Sequence, residues 1–251
     1  MSRLFWLDDE QWAAIEPFMP KNQPGARRVD DRRVISGIIH VLKTGCRWVD
    51  CPQEYGPHTT VYNRFNRWSR KRFWTGMLEA LAAAGAVTTS TSIDSTYVKA
   101  QRSAFGGKGG RKRKIGPSRG GQTSKIYVLT DVIGRPFSLS LTPGNVSDVR
   151  AADELLSEGM QGAKHLIADK GYDANAFRNA LREQGTRPVI SGRSNRKRKI
   201  AYDKARYRER HLVENAFCRL KDFRRIATRY DKLGKNFLSA AAIATVVAFW
   251  I

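Results

Sequence analysis

The sequence has few of the residues that build disulfide frameworks or zinc sites. Its 251 residues include 3 cysteines and 4 histidines. A small, odd number of cysteines argues against a secreted fold held together by disulfides and predicts that the protein resides in a reducing cytoplasm. Cys46, Cys51 and His58 suggest a zinc site only weakly, because a fourth ligand and the usual paired spacing are missing. We interpret them as packing residues.

Long hydrophobic runs are also lacking. Residues 237–251 are the most apolar segment, but a membrane span needs about 20 residues, and this segment contains a serine and a threonine. It therefore predicts a core helix. The first residues mix Trp6 with Asp8, Asp9 and Glu10, which is unlike a signal peptide. We expect a cytoplasmic protein.

Acidic residues are scarce. The chain has 23 Asp and Glu against 45 Lys and Arg, a net charge of +22, and a pI near 10.4. Such a protein is expected to bind a polyanion. A membrane surface would also attract it, but no basic amphipathic helix with a lipid-facing stripe is present. Nucleic acid is the favoured partner.

Residues 1–88 are predicted to form an all-α domain. Asp8 can cap a first helix, Asp31 precedes a second that ends near Gly45, and Thr59 or Thr60 opens a third, basic helix before a fourth. Helices two and three fit a helix-turn-helix-like arrangement that reads the DNA major groove, with Arg64 and Arg67 as candidate DNA contacts. The alternative is a helical bundle whose arginines are simply solvated.

Residues 89–251 change to mixed strands and helices. The predicted order is strand, strand, strand, helix, strand, helix, strand, helix, which is that of an α/β RNase H-like domain. Basic segments are predicted at 106–121 and 193–206, and the first is glycine-rich and expected to stay mobile until it meets phosphates. The residues expected to contact DNA there are Arg111, Lys112, Arg113, Lys114, Arg196, Lys197, Arg198 and Lys199.

Two carboxylates lie in strand contexts. Asp94 falls within the β-branched run 91–98, and Asp169 directly follows the apolar run 166–168 and precedes Lys170-Gly171, a strand-then-turn pattern. Three further acids have structural interpretations. Asp131 is predicted to be a turn residue, Asp173 the N-cap of a helix over 174–183, and Ser147 or Asp148 the cap of a helix through Leu155 and Leu156.

A third carboxylate, Glu214, lies among cations on a predicted helix. Tyr207, Arg210, Glu214 and Lys221 have the spacing Y-x2-R-x3-E-x6-K and fall within a stripe about 60° wide on a helical wheel. The opposite, apolar side of that wheel consists of Leu212, Ala216, Leu220 and Phe223. This pattern suits a carboxylate that holds a metal while its neighbours hold phosphates; the alternative is a solvated basic face.

Carboxylates on two strands and a later helix can converge at one edge of a sheet. Three of them suit a pair of Mg²⁺ ions about 3.5–4 Å apart, the arrangement used for phosphoryl transfer. Magnesium prefers oxygen ligands, which Asp and Glu without His provide. The predicted metal ligands and catalytic residues are therefore Asp94, Asp169 and Glu214.

The contexts Ile93-Asp94-Ser95-Thr96 and Ala168-Asp169-Lys170-Gly171-Tyr172-Asp173, with the Y-R-E-K spacing, resemble the DDE transposases of bacterial insertion sequences, in particular insertion-sequence family five. The likeness covers nearly the whole chain. Its other segments are residues 7–12, 55–57, 61–65, 118–121, 141–144 and 227–232. The resemblance implies that Tyr207, Arg210 and Lys221 support the site, that Mg²⁺ is the cofactor and Mn²⁺ a substitute, and that the protein works in a bacterial cytoplasm, held at the nucleoid by DNA.

The resemblance also implies an activity. The protein would bind the terminal inverted repeats of its insertion sequence, cleave the DNA and join the 3′ ends to target DNA, as a homodimer or larger assembly on double-stranded DNA. Two alternatives remain: an RNase H-fold nuclease without joining activity, and an adopted DNA-binding regulator. Only 45 residues separate Asp169 from Glu214, too few for the additional β-domain that some relatives insert there.

Overall fold

The N-terminal region is helical, as predicted. The computed structural model of the protein describes residues 3–20, 30–105, 110–152 and 163–251. The N-terminal helices are α1 Asp9–Ile15, α2 Asp31–Thr44, α3 His58–Arg70 and α4 Phe73–Gly85. Asp8 caps α1 in a reciprocal capping box with Gln11. Asp30, one residue earlier than Asp31, caps α2, which ends at Gly45 with a left-handed φ of 78°.

The connection between α2 and α3 is longer than that of a helix-turn-helix. Residues 45–57 separate them and contain two short 3₁₀ turns, Trp48–Asp50 and Gln53–Tyr55. A helix-turn-helix normally uses a turn of about 3–4 residues. The helical character of this region is thus confirmed, whereas its use as a DNA reader stays a prediction.

One mixed sheet follows. Its strands are β1 Ser90–Ala100, β2 Gly116–Ser118, β3 Gly121–Thr130, β4 Pro136–Pro143, β5 His165–Ala168, β6 Arg187–Ile190 and β7 Thr228–Arg229. β3 pairs antiparallel with β1 on one side and with β4 and short β2 on the other. β5 lies parallel between β1 and β6, and β7 extends the β5 side of β1. This order confirms the predicted RNase H-like architecture.

The helices of this part are α5 Arg102–Phe105, α6 Asn175–Glu183, α7 Lys204–Tyr207, α8 His211–Lys221, α9 Arg224–Ala227 and α10 Gly234–Phe249. The Y-R-E-K residues do not share one continuous helix, because a 3₁₀ turn at Arg208–Arg210 joins α7 to α8. Such turns are common at helix ends. α8 buries Val213, Ala216, Phe217 and Leu220, while Leu212 is only half-buried.

The main hydrophobic core joins the N-terminal helices to the sheet. It includes Ile38 of α2 and Phe65 of α3 together with Val98 of β1, Phe217 of α8 and Phe237 of α10. The boundary predicted at residues 88 and 89 stays a prediction, and apolar packing crosses it. α10 has the core position predicted for residues 237–251. Among the described residues, no helix is long and apolar enough to span a bilayer.

The described part of the first basic segment is more ordered than expected. Residues 110–113 form a 3₁₀ turn, and 116–118 form β2. Arg229 explains this order: it is fully buried and donates hydrogen bonds to the backbone carbonyls of Arg113 and Lys114 and to Ser124 Oγ. The expectation of mobility is wrong for residues 110–121; residues 106–109 lie outside the described residues.

Asp173 does not cap a helix. The N-cap of α6 is Ala174, which makes no side-chain cap bond. The Asp173 carboxylate is instead buried and accepts hydrogen bonds from Arg178 Nε at 2.8 Å, Arg196 Nε at 2.6 Å and the Arg193 backbone N–H at 2.8 Å. Asp131, by contrast, is the predicted turn residue, accepting from the backbone N–H of Ile133 and Arg135.

Candidate active site

β1 and β5 bring the first two predicted carboxylates to one edge of the sheet. Ser92 of β1 pairs with Ile167 of β5 in parallel, so Asp94 and Asp169 each stand two residues further along. Asp169 directly follows β5, where the Gly171 backbone N–H donates to its Oδ1 at 2.8 Å. The Ser95 backbone N–H donates to Asp94 Oδ1 at 2.7 Å.

Arg210 connects this edge to Glu214 on α8. Its Nη1 lies 3.2 Å from Asp94 Oδ2, and its Nη2 lies 2.5 Å from Glu214 Oε1. The side chains of Asp94 and Arg210 are 18% and 25% exposed, whereas that of Glu214 is 50% exposed. A strand residue and a helix residue 120 positions apart in the chain are therefore bridged by one guanidinium.

The pKa of Asp94 is affected by the other two predicted carboxylates. Burial raises the pKa of Asp94 to about 6, and the nearby carboxylates of Asp169 and Glu214 also raise it, while the Ser95 N–H and Arg210 act in the opposite direction. Neighbouring negative charges disfavour ionisation. At Asp94, burial and the two neighbouring carboxylates thus outweigh the Ser95 N–H and Arg210.

The two remaining Y-R-E-K residues flank the carboxylates. Lys221 Nζ donates to Thr96 Oγ1 at 2.8 Å, two residues from Asp94 on the same face of β1. Tyr207 Oη lies 3.2 Å from Ser191 Oγ, just beyond β6. Their hydroxyl and ammonium groups therefore border the edge on two sides without hydrogen bonding to its carboxylates.

The donor set fits a divalent cation. Carboxylate oxygens without histidine or thiol ligands match magnesium chemistry, and the Arg210 guanidinium occupies a cation's place between Asp94 and Glu214. Within residues 3–20, 30–105, 110–152 and 163–251, no three His, Cys, Asp or Glu side chains stand in ready metal-holding geometry. Cys46 and Cys51 are free thiols and belong to no such group among the described residues.

Asp148 is a fourth carboxylate that the sequence reasoning missed. Its Oδ1 accepts from Ser95 Oγ at 2.9 Å, Lys125 Nζ at 3.0 Å and Tyr127 Oη at 3.1 Å. A Cβ on Gly171 would lie 2.8 Å from Asp169 Oδ1 and 3.3 Å from Asp148 Oδ2, so the two carboxylates border one gap. Residues 148–152 are helical, but the side chain of Asp148 turns to the sheet; no local pattern in the sequence signals these partners.

The predicted DNA contacts divide into exposed and internally bonded side chains. The exposed ones are Arg67, Lys112, Lys114, Lys197, Arg198 and Lys199. Arg64 is 6% exposed and ion-paired with Asp31. Arg113 is buried and donates to the Phe105 carbonyl at 2.6 Å, and Arg196 is bound to Asp173. Arg64 and Arg113 are therefore held inside the fold, and Arg196 is tied to a buried carboxylate although it is partly exposed; the side chain of Arg111 lies outside the described residues.

Comparison with family models matches both parts of the chain. The model for the transposase DDE domain matches residues 86–249. A second model, described as a transposase of the IS4/5 family (DUF4096), matches residues 7–78. The first match alone covers more than half of the 251 residues.

Individual relatives agree with these models. A protein of Brucella ovis named as a transposase for insertion sequence element IS6501 is 34% identical over 130 residues, which are 51% of this chain and 98% of that protein. A protein of Burkholderia cepacia named as a transposase for insertion sequence element IS402 is 32% identical over 132 residues, 47% of this chain and 60% of that protein.

One solved structure is similar over almost the entire chain. The piggyBac transposase, determined by cryo-EM as a synaptic complex with hairpin DNA, aligns with a TM-score of 0.52. The alignment covers 98% of this chain and 73% of that chain at 11% sequence identity. At that identity the likeness establishes the fold alone.

Proposed function

The chain belongs to the family of insertion-sequence transposases that carry a DDE domain, and from that premise we propose that it binds the terminal inverted repeats of its element, cleaves there and joins the 3′ ends to target DNA. The observation that carries the proposal is that Arg210 bridges Asp94 and Glu214, while Asp169 follows the strand that pairs with β1 beside Asp94.

Asp94, Asp169 and Glu214 would hold divalent ions, with Mg²⁺ as the natural cation and Mn²⁺ as a substitute. When bound, such ions stabilise the charge that develops on phosphate oxygens in the transition state. Asp94 and Asp169 provide buried or half-buried oxygens fixed by backbone N–H groups. Glu214 is the most exposed of the three, and its Oε atoms are the proposed acceptors of the proton of the attacking water or hydroxyl.

Arg210, Lys221 and Tyr207 would hold the DNA backbone beside the cut. Arginine forms paired hydrogen bonds with phosphate oxygens, and Arg210 is partly exposed at the mouth of the edge. Lys221 is exposed and donates a hydrogen bond to Thr96 Oγ1. Both cations can therefore turn to phosphates without breaking the core.

Joining distinguishes this function from plain hydrolysis. A transposase keeps the new 3′-hydroxyl and presents it to a second phosphodiester, so one such bond is exchanged for another without a high-energy cofactor. The partners would be double-stranded DNA of the element ends and of the target, and a homodimer or larger assembly that holds two ends together.

A strand-joining assay tests the proposal. Element ends with free 3′-hydroxyls are incubated with a circular target plasmid and Mg²⁺, and we expect joined products. Glu214→Gln should abolish both cutting and joining, whereas Glu209→Gln, a matched change five residues earlier, should keep both. Efficient nicking without any joining of pre-cut ends in Mg²⁺ or Mn²⁺ would favour the nuclease alternative.

A further inference from the structure

A groove separates α3 from the segment 225–236, away from the carboxylate edge. Its volume is about 810 Å³. Tyr62 and Asn66 line it on the α3 side, and Tyr230 and Lys232 line it on the other. None of the three catalytic carboxylates contributes to it. We call it the α3 groove.

Aromatic rings form the walls of the α3 groove. Tyr62 is 37% exposed and Tyr230 is 38% exposed, and the ring of Trp48 lies 5.5 Å from that of Tyr62. The guanidinium of Arg225 lies 5.4 Å from the Trp48 ring and 5.3 Å from the Tyr230 ring. Partly exposed rings in cationic surroundings suit a flat aromatic ligand that carries negative charge.

The floor of the α3 groove has unused hydrogen-bonding capacity. Arg225, Asp231 and Asn236 are 5%, 7% and 5% exposed, and all three line the groove. Each has a buried polar atom without a hydrogen-bond partner: Arg225 Nε, Asp231 Oδ2 and Asn236 Oδ1. Buried polar atoms are normally bonded. The floor of the α3 groove is therefore polar and contains unsatisfied hydrogen-bonding atoms just below its surface.

The mouth of the groove continues onto the exposed face of α3. Asn63, Asn66 and Arg70 border both the α3 groove and a neighbouring cleft of about 450 Å³ that also contains Arg67. Arg70 and Lys232 are exposed, so cations stand at the entrance. A DNA strand that follows α3 would pass directly over the groove.

We propose that the α3 groove receives one unpaired nucleotide of the DNA bound by α3. The base stacks against Tyr62 or Tyr230, its polar edge faces the floor, and the flanking phosphates lie at Arg70 and Lys232. A base must leave the duplex to offer its faces and edge in this way. The proposal rests on the proposed function as a DNA-processing protein.

The test compares two duplexes of one random sequence, one fully paired and one with a single unpaired nucleotide in the middle, in EDTA. The wild-type protein should bind the second duplex about tenfold more tightly, as expected for stacking of one base. Tyr62→Ala combined with Tyr230→Ala should remove this preference and leave affinity for the paired duplex unchanged. Tyr97→Ala, at a tyrosine that is 53% exposed on β1, is the matched control and should retain it.

A second measurement places the base. With 2-aminopurine as the unpaired nucleotide, its fluorescence should fall on binding to the wild type and not to the double variant; single variants serve if the double variant does not fold. Equal affinity of the wild type for both duplexes, or an unchanged preference in every tyrosine variant, overturns the proposal. If the protein cuts and joins DNA but shows no preference for the unpaired nucleotide, the groove proposal fails and the proposed function stands. If it shows the preference but does not join DNA ends, the groove proposal stands and the proposed joining reaction fails.

Discussion

Asp94 and Asp173 are both shielded carboxylates bonded to arginine, yet their environments are opposite. Asp173 is completely buried; although burial raises its pKa, hydrogen bonds from Arg196, the Arg193 N–H and Arg178 lower that pKa well below its usual value. Asp94 shares one arginine with Glu214, lies beside Asp169, and has its pKa raised to about 6. Asp173 is thus fully paired within the fold, whereas Asp94 is crowded by two other carboxylates.

The difference separates a structural carboxylate from a candidate catalytic one. A charge that is fully paired and hydrogen-bonded stabilises a fold and has nothing left to bind. When other carboxylates crowd a carboxylate, its ionised form becomes favourable only if a cation binds beside it. We therefore expect removal of Asp173 to affect stability and removal of Asp94 to affect chemistry.

The largest expected effect is on DNA cleavage. Asp94→Asn or Asp169→Asn should lower the cleavage rate by on the order of 10³-fold or more, because several kcal/mol of transition-state stabilisation are lost with the metal. End-binding, measured by gel shift, should change little because each replacement alters charge and hardly any volume. An Asp169→Asn protein that still cuts would show that the ligand assignment is wrong.

The next effect is on stability. Asp173→Asn should destabilise the fold by about 3 kcal/mol, since it leaves the buried guanidinium of Arg178 without its counter-charge. Urea unfolding measures this, with Asp50→Asn as control because the Arg47–Asp50 pair is exposed and should contribute little to stability. Similar losses of stability in Asp173→Asn and Asp50→Asn would show that the Asp173 cluster is no more stabilising than an exposed ion pair.

A smaller effect, of opposite sign, is expected at Asp94. Its folded pKa of about 6 exceeds its usual value, so the folded state keeps a proton that the unfolded state releases, and stability falls as pH rises from about 4 to 6. Without metal, Asp94→Asn should therefore be up to about 3 kcal/mol more stable than wild type at pH 8 and no more stable at pH 4. Urea unfolding in EDTA at the two pH values decides this; a pH-independent difference would contradict it.

The smallest effect concerns the basic segments. Replacing exposed Lys112 and Lys114 by Ala should weaken binding to any DNA sequence and lower the slope of log K against log salt by about 0.9 for each lost phosphate contact. Lys164→Ala, at the end of β5 opposite Asp169, is the control and should leave the slope unchanged. An unaltered slope in the double variant would show that the first basic segment does not touch DNA.

Arg64 and Arg67 give a related pair on α3. Arg67→Ala should reduce affinity for the element end, because its side chain is exposed. Arg64→Ala should mainly lower the melting temperature, because it removes the shielded Arg64–Asp31 ion pair, whose side chains are 7% and 14% exposed. Thermal unfolding and end-binding measured on both variants separate the two roles. If Arg64→Ala loses end-binding while its stability is unchanged, Arg64 is a DNA contact after all.

Local patterns were sufficient for much of the fold. β1 contains the predicted strand run 91–98, and Asp169 follows β5 as its apolar run indicated, because alternation, propensity and turn residues act over a few positions. The order in which the main strands follow one another along the chain was predicted from the same signals. The placement of Asp94 and Glu214 was anticipated from the strand, the helix and the resemblance together; their catalytic role stays a prediction.

What local patterns missed are partners far apart in the chain. Arg64 and Asp31 are 33 residues apart, and Asp148 meets Ser95 across 53 residues. Arg196 reaches Asp173 across 23. A basic run in the sequence shows how many charges are present but not which of them a buried carboxylate or carbonyl will bind. Such pairings depend on tertiary contacts, which periodicity does not encode.

The core that α10 shares with α2 and α3 has a consequence during synthesis. Ile38 and Phe65 leave the ribosome early, yet they reach their buried environment only when Phe237 and the rest of α10 have been made. Packing between segments so distant in sequence forms late and leaves apolar surface open to aggregation meanwhile. A chain that stops before residue 234 therefore cannot complete this core. Such a truncated chain should leave the apolar side chains of α2 and α3 that face α10 exposed to solvent.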